Sequence, residues 1–162
     1  MCDSLRKKTI EDYVECLYCF EKKRKKVRTN DIANALGINP ASVTEVLQKL
    51  SDEGYINYEK YSGAILTNKG RELAVETKKK HDILMEFFIL LGVDKKIAEK
   101  DACEIEHFLH SSTMDILFKF VEIVNNCKYT PYWINRLKKY VKTGKLEECP
   151  DELSKVCIKY SD

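Results

Sequence analysis

Apolar positions recur every three or four residues along most of the chain, so helix is the dominant prediction. Ile10, Tyr13, Val14, Leu17, Tyr18 and Phe20 mark a first helix over about 8–23. It closes on the basic knot Lys22-Lys23-Arg24-Lys25-Lys26, and Val27-Arg28-Thr29 follows as a short extended link. Thr29-Asn30-Asp31 supplies N-cap candidates for a short helix that runs to Leu36 and stops at Gly37. Asn39-Pro40 opens the next helix, with Asn39 as cap and Pro40 in the first turn. Val43, Val46, Leu47 and Leu50 form its apolar face, and Gly54 ends it.

The period then changes. Residues 55–59 and 64–67 read as two short strands joined by Tyr61-Ser62-Gly63. Thr67-Asn68 caps a long helix over about 69–90, which Gly92 breaks. Further helices are expected over 94–109, from Ser111 or Ser112 to about Asn126, and over 131–142. The last carries Trp133, Ile134, Leu137, Tyr140 and Val141 as its apolar face and ends at Gly144; Cys149-Pro150 starts a short terminal segment.

Helix, glycine turn, helix and β-hairpin, in that order, predict a winged helix-turn-helix inside a mainly α fold. In that arrangement the second helix enters the major groove of double-stranded DNA and the hairpin lies along the backbone. Off the apolar face of the second helix stand Ala41, Ser42, Thr44, Glu45, Gln48 and Lys49. Short side chains at its start can approach base edges. With Thr29, Asn39, Pro40 and Lys60, these make the candidate DNA-binding set; Lys49, Lys60 and Lys69 suit phosphates.

Charge sharpens this picture. The 28 Lys+Arg and 26 Asp+Glu leave a net charge of +2, which by itself argues against a nucleic-acid binder. The balance is sorted along the chain. Residues 1–80 hold 16 basic and 12 acidic side chains, 81–128 hold 5 and 9, and 129–162 hold 7 and 5. A basic front and an acidic middle predict two jobs on one chain. We expect a DNA-binding domain over 1–78, a second, acidic domain over 79–128, and a helical extension over 129–162. No apolar run approaches the roughly 20 residues of a membrane span, and the N-terminus lacks the apolar core of a signal peptide. The expected location is cytoplasmic, with no membrane partner. The seven cysteines should then be mostly reduced thiols. Cys16 and Cys19 form a C-x-x-C that reads either as half of a zinc site or as two thiols on the buried face of the first helix.

The acidic middle carries candidate chemistry. Cys103, Glu106 and His107 stand at i, i+3 and i+4 on one predicted helix, positions that share a face. His81 lies near the centre of the preceding long helix, and Asp12 and Glu15 project from the first helix at i, i+3. Six mixed nitrogen, oxygen and sulfur donors on three segments suit an octahedral divalent cation such as Fe2+, Mn2+ or Co2+.

With both constellations in place, the sequence resembles the diphtheria toxin repressor/manganese transport regulator family of metal-dependent transcriptional repressors. Three stretches carry the resemblance: Thr9-Ile10-Glu11-Asp12-Tyr13-Val14-Glu15; the reading unit from Asp31-Ile32-Ala33 through Asn39-Pro40-Ala41-Ser42-Val43-Thr44 to Leu66-Thr67-Asn68-Lys69-Gly70; and Lys80-His81 with Glu104-Ile105-Glu106-His107. It spans roughly residues 8–126. The resemblance implies a homodimer, with 79–128 as the metal-binding and dimerisation domain, and metal ligands at Asp12, Glu15, His81, Cys103, Glu106 and His107. The manganese-type branch shares an acid at Asp12 but has Glu at Cys103; the iron-type branch shares the Cys but has Met at Asp12. A thiolate favours softer ions, which tilts Cys103 toward Fe2+, while Asp12 tilts toward Mn2+. The iron branch's ancillary site falls on Met85 and Glu99, a weak pair, and the chain is too short for that branch's SH3-like C-terminal domain.

The expected function is a non-enzymatic, metal-dependent repressor of metal-uptake genes, in which Fe2+ or Mn2+ orders a dimer for operator binding. Two other classes compete: a winged-helix regulator that senses thiol oxidation through Cys103 or Cys16 and Cys19, and a metalloenzyme using the same carboxylates. The metalloenzyme has no nucleophile–base pair to support it.

Overall fold

The computed structural model describes residues 6–21 and 26–148; the stretch 22–25 and the terminal segment from Cys149 lie outside the described residues. Seven helices and one hairpin follow in chain order: α1 (Lys7–Glu21), α2 (Thr29–Leu36), α3 (Pro40–Asp52), β1 (Ile56–Glu59), β2 (Gly63–Leu66), α4 (Asn68–Leu91), α5 (Lys95–Ile105), α6 (Ser111–Asn126) and α7 (Tyr132–Thr143). The two strands pair antiparallel, from Ile56 opposite Leu66 to Glu59 opposite Gly63. Helix, turn, helix and wing therefore occur in the expected order.

Local chemistry sets the reading unit. Asn39 Oδ1 accepts from the Ala41 amide at 2.8 Å, capping α3 ahead of Pro40 as its sequence demands. Gly37 closes α2 in the left-handed conformation. The cap of α2 is Arg28, one residue earlier than the expected Thr29-Asn30-Asp31; Asp31 instead reaches back from the first turn to the Arg28 amide at 3.2 Å. Val27 bridges to Ala64 and adds an edge contact to the wing.

Two apolar clusters share α4. The first packs Val14 and Leu17 of α1, Ile32 of α2, Val43, Leu47 and Leu50 of α3, and Ile56 of the wing, all within 1% of full burial. The second packs Ile83 and Leu84 of α4 with Ala102 of α5 and Met114 and Val121 of α6. The 24 residues of α4 extend about 36 Å without a break, so one rigid rod passes through both clusters. Its start is seated by Gly70, where a Cβ would lie 2.1 Å from the Tyr55 carbonyl oxygen. We expect Gly70→Ala to lower the unfolding free energy by about 2–3 kcal/mol, because backbone must give way. Denaturant unfolding monitored by circular dichroism checks this, and an unchanged midpoint would contradict the seating.

Three expectations are corrected. The helix expected over 94–109 ends at Ile105, and Glu106–Phe108 form a tight turn closed by the Phe108 amide on the Ile105 carbonyl at 3.0 Å. No Gly or Pro marks this stop; the Glu106 and His107 side chains are instead engaged with α4 and α1. The N-cap of α6 is His110, not Ser111 or Ser112, and its carbonyl accepts from the Thr113 and Met114 amides. On α7 only Ile134 is buried, while Trp133, Tyr140 and Val141 are exposed. That helix meets its neighbours along a narrow line, with Trp133 against Phe120 at 5.9 Å between ring centres.

Candidate metal centre and nucleic-acid interface

Three helices build the candidate metal centre. Successive turns of α1 present Asp12, Glu15, Cys16 and Cys19; α4 presents Lys78 and His81; α5 presents Glu99 and Cys103. These residues line one open cavity of about 500 Å³. Glu106 and His107 lie behind it in the turn after α5. The cavity thus gathers four of the six sequence-predicted donors; Glu106 and His107 touch it through His81 and Asp12, and His107 stands in a turn rather than on the face of a continuous helix.

The donors satisfy one another in part. His81 Nδ1 lies 3.0 Å from Glu106 Oε2, with both side chains buried. His107 Nδ1 lies 2.8 Å from Glu11 Oε2. On the other side of the ring, Nε2 lies 2.9 Å from Asp12 Oδ1 and 3.4 Å from Glu106 Oε1. Neither approach is aligned as a hydrogen bond. His107 Nε2 and Glu106 Oε1 are therefore buried polar atoms without a hydrogen-bond partner among the described residues. Such orphans cost roughly 1–3 kcal/mol each. A cation between them would satisfy both, so the donor set fits a divalent metal. As it stands, no three His, Cys, Asp or Glu side chains among the described residues are gathered closely enough to hold one.

The electrostatics point the same way. Burial raises the Glu15 pKa, and the Glu106 charge raises it further, against the pull of His81, Lys78 and His107. Burial likewise raises the Cys103 thiol, joined by Glu106, Asp12 and Glu15. Burial is the larger cause in both groups, and the neighbouring carboxylates add to it. The Glu106 hydrogen bond raises His81 against the cost of burial. Burial also works against the imidazolium of His107, yet Asp12 and Glu11 outweigh it and lift its pKa to about 9.

The C-x-x-C does not sit on a buried face: Cys16 is half-buried and Cys19 exposed at the cavity wall. Burial pushes the Cys16 thiol up to about 12. Reactive cysteines have depressed pKa values, whereas burial raises both Cys16 and Cys103.

A second cleft, of about 370 Å³, opens between the starts of α2 and α3 and the wing. It gathers Thr29, Pro40, Ala41, Thr44 and Lys60 of the candidate DNA set. Ser42, Glu45, Gln48 and Lys49 stand exposed outside it along α3, and the Asn39 side chain is spent on its cap. Gln48 donates to Asp52 at 3.1 Å. Lys69, expected to meet phosphates, donates instead to the Glu53 carbonyl at 2.9 Å and lies 4.0 Å over the Tyr55 ring. Arg28, Asn30, Tyr58 and Tyr61 also line the cleft and were not singled out by sequence. Tyr61 is 91% exposed at the wing tip with φ of 69°, a left-handed conformation rare for a tyrosine.

Residues 7–64 match the model of the iron dependent repressor N-terminal DNA binding domain, and residues 67–133 match the iron dependent repressor metal binding and dimerisation domain. The chain belongs to the iron-dependent repressor family. It shares 36% identity over 114 residues with the HTH-type transcriptional regulator MntR of Bacillus subtilis, covering 70% of this chain and 80% of that one. With an uncharacterized HTH-type transcriptional regulator of Methanocaldococcus jannaschii it shares 40% over 116 residues, covering 70% and 93%. Among solved structures, the manganese regulator SloR aligns with a TM-score of 0.63 at 27% identity, covering 76% of this chain and 56% of that chain. The chain is a metal-dependent DNA-binding transcriptional regulator of this family, not an enzyme.

In this member of the family, one residue beside the candidate centre escaped the sequence reading. Glu11 is 2% exposed and contacts His107, yet it counted only as part of a motif. Its neighbour Ile10 is buried, but an acid at position 11 gives no local signal of its contact with His107.

Proposed function

We propose that Asp12, Glu15, His81, Cys103, Glu106 and His107 hold Fe2+ or Mn2+, and that the chain represses metal-uptake genes from the cytoplasm as a homodimer. The observation that carries this is the pair of buried atoms His107 Nε2 and Glu106 Oε1, 3.4 Å apart, which lack an aligned hydrogen bond among the described residues while Asp12 stands 2.9 Å from the ring. A bound divalent cation supplies the missing positive charge and a bond network that joins α1 to α4 and α5.

The chain's own residues do the rest. Asp12 and Glu15 belong to α1, which packs in the same apolar cluster as the reading helix α3. His81 lies on α4, and Cys103 on α5. Restraining α1 against α4 and α5 restrains the reading head against the dimer half. In a dimer the two copies of α3 would then keep the spacing of successive major grooves, about 34 Å. The cleft beside α3 would take DNA backbone, with Arg28 and Lys60 toward phosphates and Ala41, Ser42 and Thr44 toward base edges.

The dimer face we propose is α6. Ile116 and Ile123, spaced two turns apart, are each 67% exposed and share one side of that helix. Among the described residues no helix is long and apolar enough to cross a membrane.

Cys103 is proposed to set the ion preference. A thiolate favours softer ions, and carboxylate favours Mn2+. Cys103→Glu is expected to shift the ratio of Mn2+ to Fe2+ affinity by about tenfold, or 1.4 kcal/mol, read by anaerobic competition with a chelator. An unchanged ranking would remove Cys103 from the explanation.

Selection of duplexes from a random pool tests the function as a whole. With metal present, one sequence with two related half-sites should be enriched. Equal enrichment in EDTA, or no enrichment in either condition, counts against the proposal.

A further inference from the structure

We propose that Glu11 is a positioning residue of the metal centre: its buried carboxylate accepts the Nδ1 proton of His107 and so presents Nε2 toward the cation. This rests on the reading of His107 as a ligand.

Two neighbouring carboxylates of α1 flank the same imidazole, and they differ in kind. Glu11 Oε2 meets Nδ1 at 2.8 Å, in an aligned hydrogen bond across 96 positions of sequence. Its side chain is 2% exposed. Asp12 Oδ1 approaches Nε2 at 2.9 Å without that alignment, and its side chain is 30% exposed. Asp12 is free to turn toward the cavity that it lines, whereas Glu11 is enclosed.

Nothing else explains the burial of Glu11. Its other charged neighbour, Lys7, stands 3.8 Å away with a side chain 74% exposed, and exposed pairs of that kind contribute little. A buried carboxylate is costly unless it is hydrogen-bonded, and His107 is the group that compensates it. The neighbouring positions Ile10, Tyr13 and Val14 are core, so an apolar side chain at 11 would be the cheaper choice for stability alone. Metal-binding histidines commonly donate their second ring N–H to a carboxylate, which fixes the tautomer and the ring plane. The Glu11–His107 pair has that form, and it ties α1 to the turn after α5 at the same time.

The test uses the full chain, purified without oxygen and titrated with Co2+ against a chromophoric chelator. Glu11→Leu should weaken Co2+ binding by about 10–100-fold and alter the visible ligand-field spectrum. Glu11→Gln, whose amide oxygen still reaches Nδ1, should recover most of the affinity and the spectrum. Glu11→Asn, one methylene shorter, should behave as Leu; comparing Gln with Asn keeps the test decisive if Leu perturbs folding. Wild-type affinity and spectrum in Glu11→Leu, or equal loss in Gln and Asn, would overturn the inference. His107→Ala separates the two levels. If that variant binds Co2+ as the wild type does, the ligand reading itself fails; if it loses Co2+ while the Glu11 variants do not, only the positioning role fails.

Discussion

His107→Ala removes the metal response of DNA binding while the protein stays folded. The ring's Nε2 is buried, lies 3.4 Å from Glu106 Oε1 and 2.9 Å from Asp12 Oδ1, and has no hydrogen-bond partner. It is thus the donor with least to do in the metal-free chain and most to gain from a cation. Alanine deletes it and also strands Glu11, whose aligned hydrogen bond is to Nδ1. Part of the fold's stability should therefore go too, about 1–3 kcal/mol for a buried acceptor left unpaired. The reading unit has its own apolar cluster and should keep its helices. In titrations of operator DNA, effectors of this kind typically change affinity by about 5–150-fold. His107→Ala should bring that ratio to unity, with little change in the metal-free affinity. Glu106→Ala should do the same, since its two oxygens face His81 and His107. A normal metal response in either variant would place the centre elsewhere.

Ile123→Glu dissociates the dimer and takes operator binding with it. A two-fold interface repeats every side chain, so one substitution introduces two carboxylates. Each would be buried without a partner, at a cost of several kcal/mol. In the single chain the same position is 67% exposed, so the protomer itself tolerates glutamate on its surface. The expected result is a monomer at micromolar concentration by sedimentation, with native helix content and lost operator affinity. A dimer that survives Ile123→Glu and Ile116→Glu alike would move the interface to another face.

Much of this fold is written in local chemistry. Asn39-Pro40 forces the start of α3, Gly37 forces the end of α2, and both lie where their backbone preferences put them. The apolar period of α1 predicted its burial because Val14 and Leu17 repeat on one side. The misplaced boundaries share a different cause. α5 stops at Ile105 without a breaker residue, because Glu106 and His107 form pairs with α4 and α1 that no local pattern encodes. On α7 the stripe was real but its partner surface was narrow, which periodicity cannot measure.

The candidate centre divides in the same way. Its six candidate donors could be named because residue type and spacing suit metal chemistry, and the cavity has four of them on its wall. Glu11 was not, since an acid beside a ligand on a helix reads as an ordinary solvated face. Only the long-range contact, 96 residues apart, gives it a task. The cleft beside α3 and the wing shows a milder form of the limit. Arg28 and Tyr61 enter it because the wing folds back beside α2, a tertiary juxtaposition of residues far apart in sequence.

The most direct test of the central claim is fluorescence anisotropy of one selected operator duplex, titrated with the protein at fixed ionic strength. Salt must be held constant because phosphate contacts dominate affinity. One series contains Mn2+ or anaerobic Fe2+ and the other contains EDTA. The metal-linked switch predicts at least about tenfold tighter binding with metal, within the usual range of allosteric coupling. Equal affinity in the two series would contradict it.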